Sequence, residues 1–367
     1  MGGWEAAGAS VDTECVKEPS MTLKLPISLS RLFKRQKQLR RLIEKTVRAT
    51  RPAIKPKRVH RARSFTPRKL VEIDGFGSNP GRLAMHFYRP SQLPARAPLV
   101  VVLHGCLQTA QGFDDASGFA RLAAERRFAV LYPQQTHSNN PNLCFNWFRP
   151  SAVARDRGEL LSIRQMIDHA CAEYRLDAAR VYIVGLSAGG AMANALLATY
   201  PESFAAGAIV AGLPVGAARD AMTALSVMNS GANRTPQEWG DLVRAVSPQP
   251  RRWPDLSIWQ GDDDRVVSPV NAVACRDQWL DVRGLKLEDG TTISRSWGEI
   301  RRWSAAGRPA LSFYRINGMG HGLPVRTADR RKGVKSDRFI LETDISAPLE
   351  LMQLWGLKRP SSPRRPA

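Results

Sequence analysis

The stretch Arg180-Val-Tyr-Ile-Val-Gly-Leu-Ser-Ala-Gly-Gly-Ala-Met-Ala-Asn194 sets the frame in which the rest of the chain is read. Val181 to Val184 is a short apolar, β-rich run with the composition of a buried strand. It stops at Gly185, and a helix-forming run from Ala188 to Tyr200 starts almost at once. Between them lies Gly185-Leu-Ser187-Ala-Gly189, a G-x-S-x-G sequence at a strand-to-helix junction. Such a junction holds the serine in a sharp, strained turn, and the flanking glycines remove the Cβ atoms that would clash there. The hydroxyl of Ser187 is lifted above the C-terminal edge of the sheet. The N–H of Ala188, at a helix N-terminus, is placed to stabilise an oxyanion. With a strand before it and a helix after it, Ser187 reads as a nucleophile rather than as an incidental serine in a Gly-rich turn.

Working outward, Arg82 to Tyr88 alternates like an edge strand, and Ala97 to Leu103 is a buried β run ending in His104-Gly105-Cys106. Asp114 to Arg126 reads as a helix and Phe128 to Tyr132 as a strand. A loop rich in Asn, Gln and Pro follows over 133–150, then an amphipathic helix from Asp156 to Tyr174. Beyond the serine, Ala205 to Val210 and Leu256 to Trp259 are buried strands, and Pro269 to Val282 is helical. Thr291 to Ser296 and Leu311 to Ile316 are further strand candidates, and a last helix spans about Ser346 to Leu354. Short buried strands alternating with helices predict an α/β fold, a mostly parallel central sheet with helices on both faces. Sites in such sheets lie beyond the strand C-termini. The three polar clusters of this chain, at 104–106, 185–189 and 261–264, all follow strands.

A serine hydroxyl needs an adjacent base, and the base needs an orienting acid. In α/β-hydrolases these partners follow the serine in the order acid, then histidine. Of the six histidines only His321 lies after Ser187, in the Gly-rich loop Gly318-Met-Gly-His321-Gly. The loop after Leu256–Trp259 offers Asp262, Asp263 and Asp264 as the acid. Asp264, farthest into the loop, is preferred, and its two neighbours read as a solvated acidic turn. The second oxyanion donor belongs to the loop after Leu103, where the N–H of Cys106 stands, with His104 holding that loop. Position alone leaves Cys106 either packed against or bridged to Cys144 in the Asn-rich loop, and a cytoplasmic location would keep the pair reduced.

The 367 residues, 43% of them hydrophobic, suffice for one large α/β domain with extensions. Five scattered cysteines make neither a disulfide scaffold nor a zinc motif. The N-terminus has no apolar h-region, which favours the cytoplasm, although a start at Met21 or a different true N-terminus would reopen export. The net charge of +21 is uneven: residues 1–70 carry +13 and the rest +8. Residues 1–69 therefore read as a basic arm, with an amphipathic helix candidate from Ser28 to about Thr50 and a Pro-punctuated linker over 51–69. Residues 70–357 read as the catalytic domain and 358–367 as a disordered basic tail. The arm suits an anionic membrane or polymer-granule surface, or simply packs on the domain. No nucleic-acid motif accompanies it, so no specific nucleic acid is expected.

At these residues the chain resembles the esterases of the polyhydroxybutyrate (PHB) depolymerase family, relatives of feruloyl and acetyl-xylan esterases. The matching pieces are Val101-Val-Leu-His-Gly-Cys-Leu-Gln108, Phe128-Ala-Val-Leu-Tyr-Pro-Gln134 and Leu143-Cys-Phe-Asn-Trp-Phe148. They continue with Val181 to Gly190, Ile258-Trp-Gln-Gly-Asp-Asp-Asp264 and Gly318-Met-Gly-His321. The resemblance implies an α/β-hydrolase fold and serine esterase chemistry without a cofactor or metal. It carries the triad onto Ser187, Asp264 and His321, and it implies that Cys106 and Cys144 lie close together. It also places Trp147, Leu107 and Leu323 at the substrate pocket. Two positions depart from the family pattern: Leu323 replaces a Trp two residues after the histidine, and Cys144-Phe-Asn-Trp147 replaces Cys-Trp-Asn-Trp. Both touch pocket walls, and no separate polymer-binding domain is visible, so short-chain or soluble 3-hydroxyalkanoate oligomer esters are the expected substrates. A carbohydrate acyl-esterase or a serine peptidase would use the same triad. A non-enzymatic granule- or membrane-binding protein would use the arm instead.

Overall fold

The structure, a computed structural model, describes residues 69–247, 250, 252–326 and 337–360. The basic arm, with its helix candidate, and the tail beyond 360 lie outside the described residues. The strands are β1 (Val71–Ile73), β2 (Ala84–Tyr88), β3 (Leu99–Leu103), β4 (Ala129–Gln134), β5 (Val181–Leu186) and β6 (Ala206–Val210). They continue as β7 (Asp255–Gly261), β8 (Thr291–Arg295), β9 (Gly298–Ala305), β10 (Arg308–Ile316), β11 (Leu323–Val325) and β12 (Ile340–Glu342). Ten of them make one sheet in the order β1-β2-β4-β3-β5-β6-β7-β10-β9-β8, and β11 pairs with β12 apart from it. The strands β4, β3, β5, β6, β7 and β10 run parallel to one another. Antiparallel strands close both edges, β1 and β2 on one side and β9 and β8 on the other.

The period of two along each central strand divides its side chains between two apolar cores. Val100, Val102, Val130 and Val184 face one core, with Phe113 of α1 (Ala110–Ser117), Leu122 of α2 (Phe119–Arg126) and, from the chain's last described helix, Leu351. Leu99, Val101, Leu131 and Ile183 face the other, with Ile163 of α3 (Gly158–Glu173) and Leu196 of α4 (Ala188–Thr199). Because both faces are covered, the strands read as continuous apolar runs instead of alternating ones. Each fully buried aliphatic side chain contributes about 1.5–3 kcal/mol. An exposed pair such as Arg155–Glu202 is worth at most about 1 kcal/mol. The two cores, not the surface ion pairs, hold the sheet.

Two readings change. The strand ending at Tyr88 is not at the edge, because Val71–Ile73 pairs outside it, Glu72 opposite His86. The helix read from Asp114 to Arg126 is two helices. Gly118 takes a left-handed conformation (φ 81°) between them, and buried Asp114 accepts the N–H of Ala120 at 2.7 Å and the hydroxyl of Tyr132 at 2.7 Å. Beyond β6 the chain forms α5 (Ala221–Ser230) and α6 (Pro236–Val246), each opened by a capping box. Then come α7 (Val270–Arg283) and α8 (Ala347–Leu354).

Candidate active site

Ser187 sits between β5 and α4 with φ 57° and ψ −119°, a conformation that costs a non-glycine residue on the order of 1–3 kcal/mol. Its surroundings impose that strain. The N–H of Ser187 donates to Val210 O at 2.9 Å, and its own carbonyl accepts the N–H of Ala191 at 2.9 Å. A Cβ at Gly185 would stand 2.0 Å from Gly189 O, and one at Gly189 would stand 2.5 Å from the carbonyls of Leu103 and His104. The glycines are required by this close approach of β5, α4 and the β3 loop. The serine is 8% exposed.

His321 and Asp264 arrive from neighbouring strand ends. Asp264 follows β7, and His321 follows β10, its parallel neighbour. The two loops are packed so tightly that a Cβ at Gly261 would lie 2.1 Å from Met319 O. His321 Nδ1 is 2.8 Å from Asp264 Oδ2, and the two residues are 9% and 4% exposed. Asp264 Oδ1 accepts the N–H groups of Val266 and Val267, each at 2.9 Å, and Oδ2 accepts Gln260 Nε2 at 2.9 Å. Burial pushes this carboxyl up, but His321 and the two N–H donors outweigh it and hold Asp264 below the usual carboxylate range. The neighbours do other things. Asp262 accepts the N–H of Gly318 at 2.7 Å, bracing the histidine loop, and exposed Asp263 pairs with Arg265 at 3.1 Å.

The β3 loop faces the elbow from the other side. His104 Nδ1 is 2.7 Å from Gly105 O, and its Nε2 accepts the N–H of Gln135 at 3.2 Å. Burial draws the His104 pKa down to about 4, so the ring is neutral. Gln108 Oε1 accepts the N–H of Gly105 at 2.7 Å, while its Nε2 donates to Asp337 at 2.9 Å. Cys106 is disulfide-bonded to Cys144, Cα to Cα 4.3 Å. The N–H groups of Cys106 and Ala188 donate to no acceptor among the described residues. The Asn-rich loop is tied down by Glu159, which accepts the N–H and side-chain amide of Asn146 and the amides of Gln135 and Asn139.

Of the expected pocket residues, Trp147 and Leu107 are half-buried at the surface of the cores. Leu323 is different. At 0% exposure in β11, paired with Ile340, it belongs to the apolar core and offers no open wall. Phe339 instead meets the His321 ring edge-on, centroids 5.9 Å apart. Sequence reading missed Gln260, Gln108, Glu159, Phe339 and Asp337. A polar Gln at the end of an apolar strand is a legible signal for the first; nothing near Asp337 in sequence points to Gln108. Among the described residues no His, Cys, Asp and Glu group is arranged to hold a metal ion.

A strained serine between a parallel strand and a helix, with a histidine–aspartate pair at the adjoining strand ends, defines an α/β-hydrolase. Residues 83–304 match the family model of the esterase PHB depolymerases, and the chain belongs to that family; it is a carboxylic ester hydrolase. It is 40% identical over 294 residues to poly(3-hydroxyalkanoate) depolymerase C of Paucimonas lemoignei, across 78% of this chain and 70% of that protein. It is 32% identical over 259 residues to feruloyl esterase B of Thermothelomyces thermophilus, across 69% of this chain and 88% of that one. The solved acetyl xylan esterase from Aspergillus awamori, 24% identical, shares the fold with a TM-score of 0.67 over 79% of this chain and 100% of its own.

Proposed function

We propose that Ser187, His321 and Asp264 hydrolyse short-chain or soluble 3-hydroxyalkanoate oligomer esters through an acyl-enzyme. Ser187 Oγ attacks the ester carbonyl as His321 Nε2 takes its proton, and Asp264 keeps the imidazole in the Nδ1–H tautomer. The N–H groups of Ala188 and Cys106 receive the oxyanion. His321 then gives its proton to the leaving alcohol, and water repeats the sequence to release the acid. The observation that carries this reading is the buried 2.8 Å bond between His321 and Asp264. Those residues occupy the loops of adjacent parallel strands, on the same sheet edge as the strained Ser187. The kinship to a poly(3-hydroxyalkanoate) depolymerase supports the acyl class. Half-buried Trp147 and Leu107 supply an apolar wall beside the oxyanion loop.

The test is hydrolysis of p-nitrophenyl esters from acetate to octanoate, together with 3-hydroxybutyrate oligomers, by wild type and Ser187→Ala. The expected result is turnover by wild type, fastest on the short acyl chains, and background rates from the variant. Equal rates from the two proteins would remove Ser187 from the chemistry. We propose in addition that residues 1–69 form a basic arm resting on an anionic membrane or polymer-granule surface. Its net charge of +13 supports that reading.

A further inference from the structure

A cavity of about 680 Å³ opens beside α2 and α8, and none of Ser187, Asp264 or His321 lines it. Arg121, Arg126, Arg295, Arg302, Arg326 and Arg359 do. They converge from five separate places: α2, β8, β9, the segment after β11, and the chain after α8. The carboxylates at hand are fewer: Asp344 and Glu350 line the cleft, and Glu125 pairs with two of its arginines. Arg121 and Arg359 share Glu125, at 3.0 and 2.7 Å, and Arg302 lies 3.7 Å from Glu350, which also accepts the Tyr314 hydroxyl at 3.0 Å. Arg126 donates to Leu357 O at 2.7 Å and Arg295 to Ser294 O at 3.0 Å, and neither meets a carboxylate among the described residues. The Nε groups of Arg126 and Arg302 are buried without an acceptor. Burial, followed by the nearness of Arg359 and then of Arg121, lowers the Arg126 pKa, while Glu125 opposes the shift.

Such crowding opposes folding unless an anion relieves it. Guanidinium groups suit phosphate and carboxylate in particular, because their paired N–H donors match two oxygens at once. A concave space of this size suits a small molecule, whereas a membrane or a nucleic acid would call for an extended basic stripe. Half-buried Trp297 and buried Ile300 give the cleft one apolar wall. We propose that this cleft binds a small polyanion bearing two or more phosphate or carboxylate groups, apart from the site of ester cleavage.

The test is calorimetric titration of the full chain with tripolyphosphate and, separately, with citrate, at about 0.15 M salt to screen diffuse attraction. A saturable one-site isotherm is expected for at least one of them, and which anion binds tells phosphate from carboxylate. Arg126→Gln/Arg302→Gln is expected to weaken it at least about tenfold, the scale of one charge-assisted hydrogen bond. The arm variant Arg40→Gln/Arg41→Gln, equal in charge lost, is expected to leave it unchanged. Both variants should hydrolyse p-nitrophenyl acetate at the wild-type rate, which shows that they fold. If the double variant is unfolded, exposed Arg295→Gln decides instead, with about threefold weaker binding expected from the loss of one exposed charge. The proposal is overturned if neither anion binds below about 1 mM. It is equally overturned if the arm variant abolishes binding while the cleft variants do not.

Discussion

His104 shows how a single buried residue links the site to pH. Its Nδ1 donates to Gly105 O and its Nε2 accepts from Gln135, so both ring nitrogens are committed in the neutral form. Burial, aided by nearby His86 and opposed by the Gly105 bond, lowers its pKa from 6.5 to about 4. Between those values the unfolded chain binds more protons than the folded one. The stabilisation is therefore complete above pH 6.5 and is lost as pH falls toward 4, by up to about 3 kcal/mol. Urea unfolding at pH 7.5, 6 and 4.5 should show that loss, and His104→Asn should flatten it; an equal slope in the variant would assign the acid sensitivity elsewhere. Asp264 makes a second prediction. Asp264→Asn keeps the shape but offers Nδ1 of His321 an amide donor, so turnover should fall about 10³–10⁴-fold while circular dichroism stays native. A drop of less than tenfold would give the acid's role to another group. Ser187 and His321 were legible because one motif and one remaining histidine left no rival. Gln260 and Asp337 were not, because what they hold lies across loops that pattern reading cannot bring together.

At the scale of elements, the Asn-rich loop between β4 and α3 is held by one buried carboxylate and one covalent bond. Glu159 collects four donors from it, and Cys144 ties it to Cys106 beside the elbow. The bridge spans 38 positions, a loop whose closure contributes about 2–4 kcal/mol. It also fixes the residue whose N–H is assigned to the oxyanion. Cys144→Ser should thus lower both stability, by about that amount, and turnover, by about tenfold or more but within the 10²–10³ that a lost oxyanion donor costs. Chemical denaturation with parallel ester kinetics checks it; unchanged turnover in a destabilised variant would reduce the bridge to a staple. A reducing compartment would leave these thiols free, so alkylation of the protein in whole cells reports where it folds. The central elements were readable because their strands are apolar runs ended by glycine or a polar turn. The break at Gly118 was not, since Asp114 to Arg126 keeps a helical pattern through it. Strand β9 was also missed, because Gly298-Glu-Ile-Arg-Arg-Trp303 owes its place to pairing with β10 rather than to its own composition.

Over the whole molecule, charge is unevenly spread along the chain. Residues 1–70 hold +13 of the total +21. The α/β-hydrolase sheet, by contrast, is built from strands that begin at Val71. Leu70 is buried and its N–H donates to Gln111 at 2.9 Å, so an ordered backbone is needed from there onward. A chain starting with Met in place of Lys69 keeps that N–H, both apolar cores and every residue assigned to ester cleavage. It should melt within about 3 °C of the full protein, a shift worth less than about 1 kcal/mol for a domain of this size, and should keep kcat/KM on p-nitrophenyl butyrate within about twofold. What it should lose is retention on vesicles containing anionic lipid. Full-length protein should bind these at low salt and release as ionic strength rises, since polybasic attraction is screened over a Debye length of about 10 Å at 0.1 M salt. Sedimentation with anionic and neutral vesicles, at two salt concentrations, separates the cases. If the shortened chain sediments as well as the full one, the +8 of residues 71–367 carries the attraction. If it loses activity in solution as well, the arm is part of the working enzyme and its charge has to be explained by contacts with the domain.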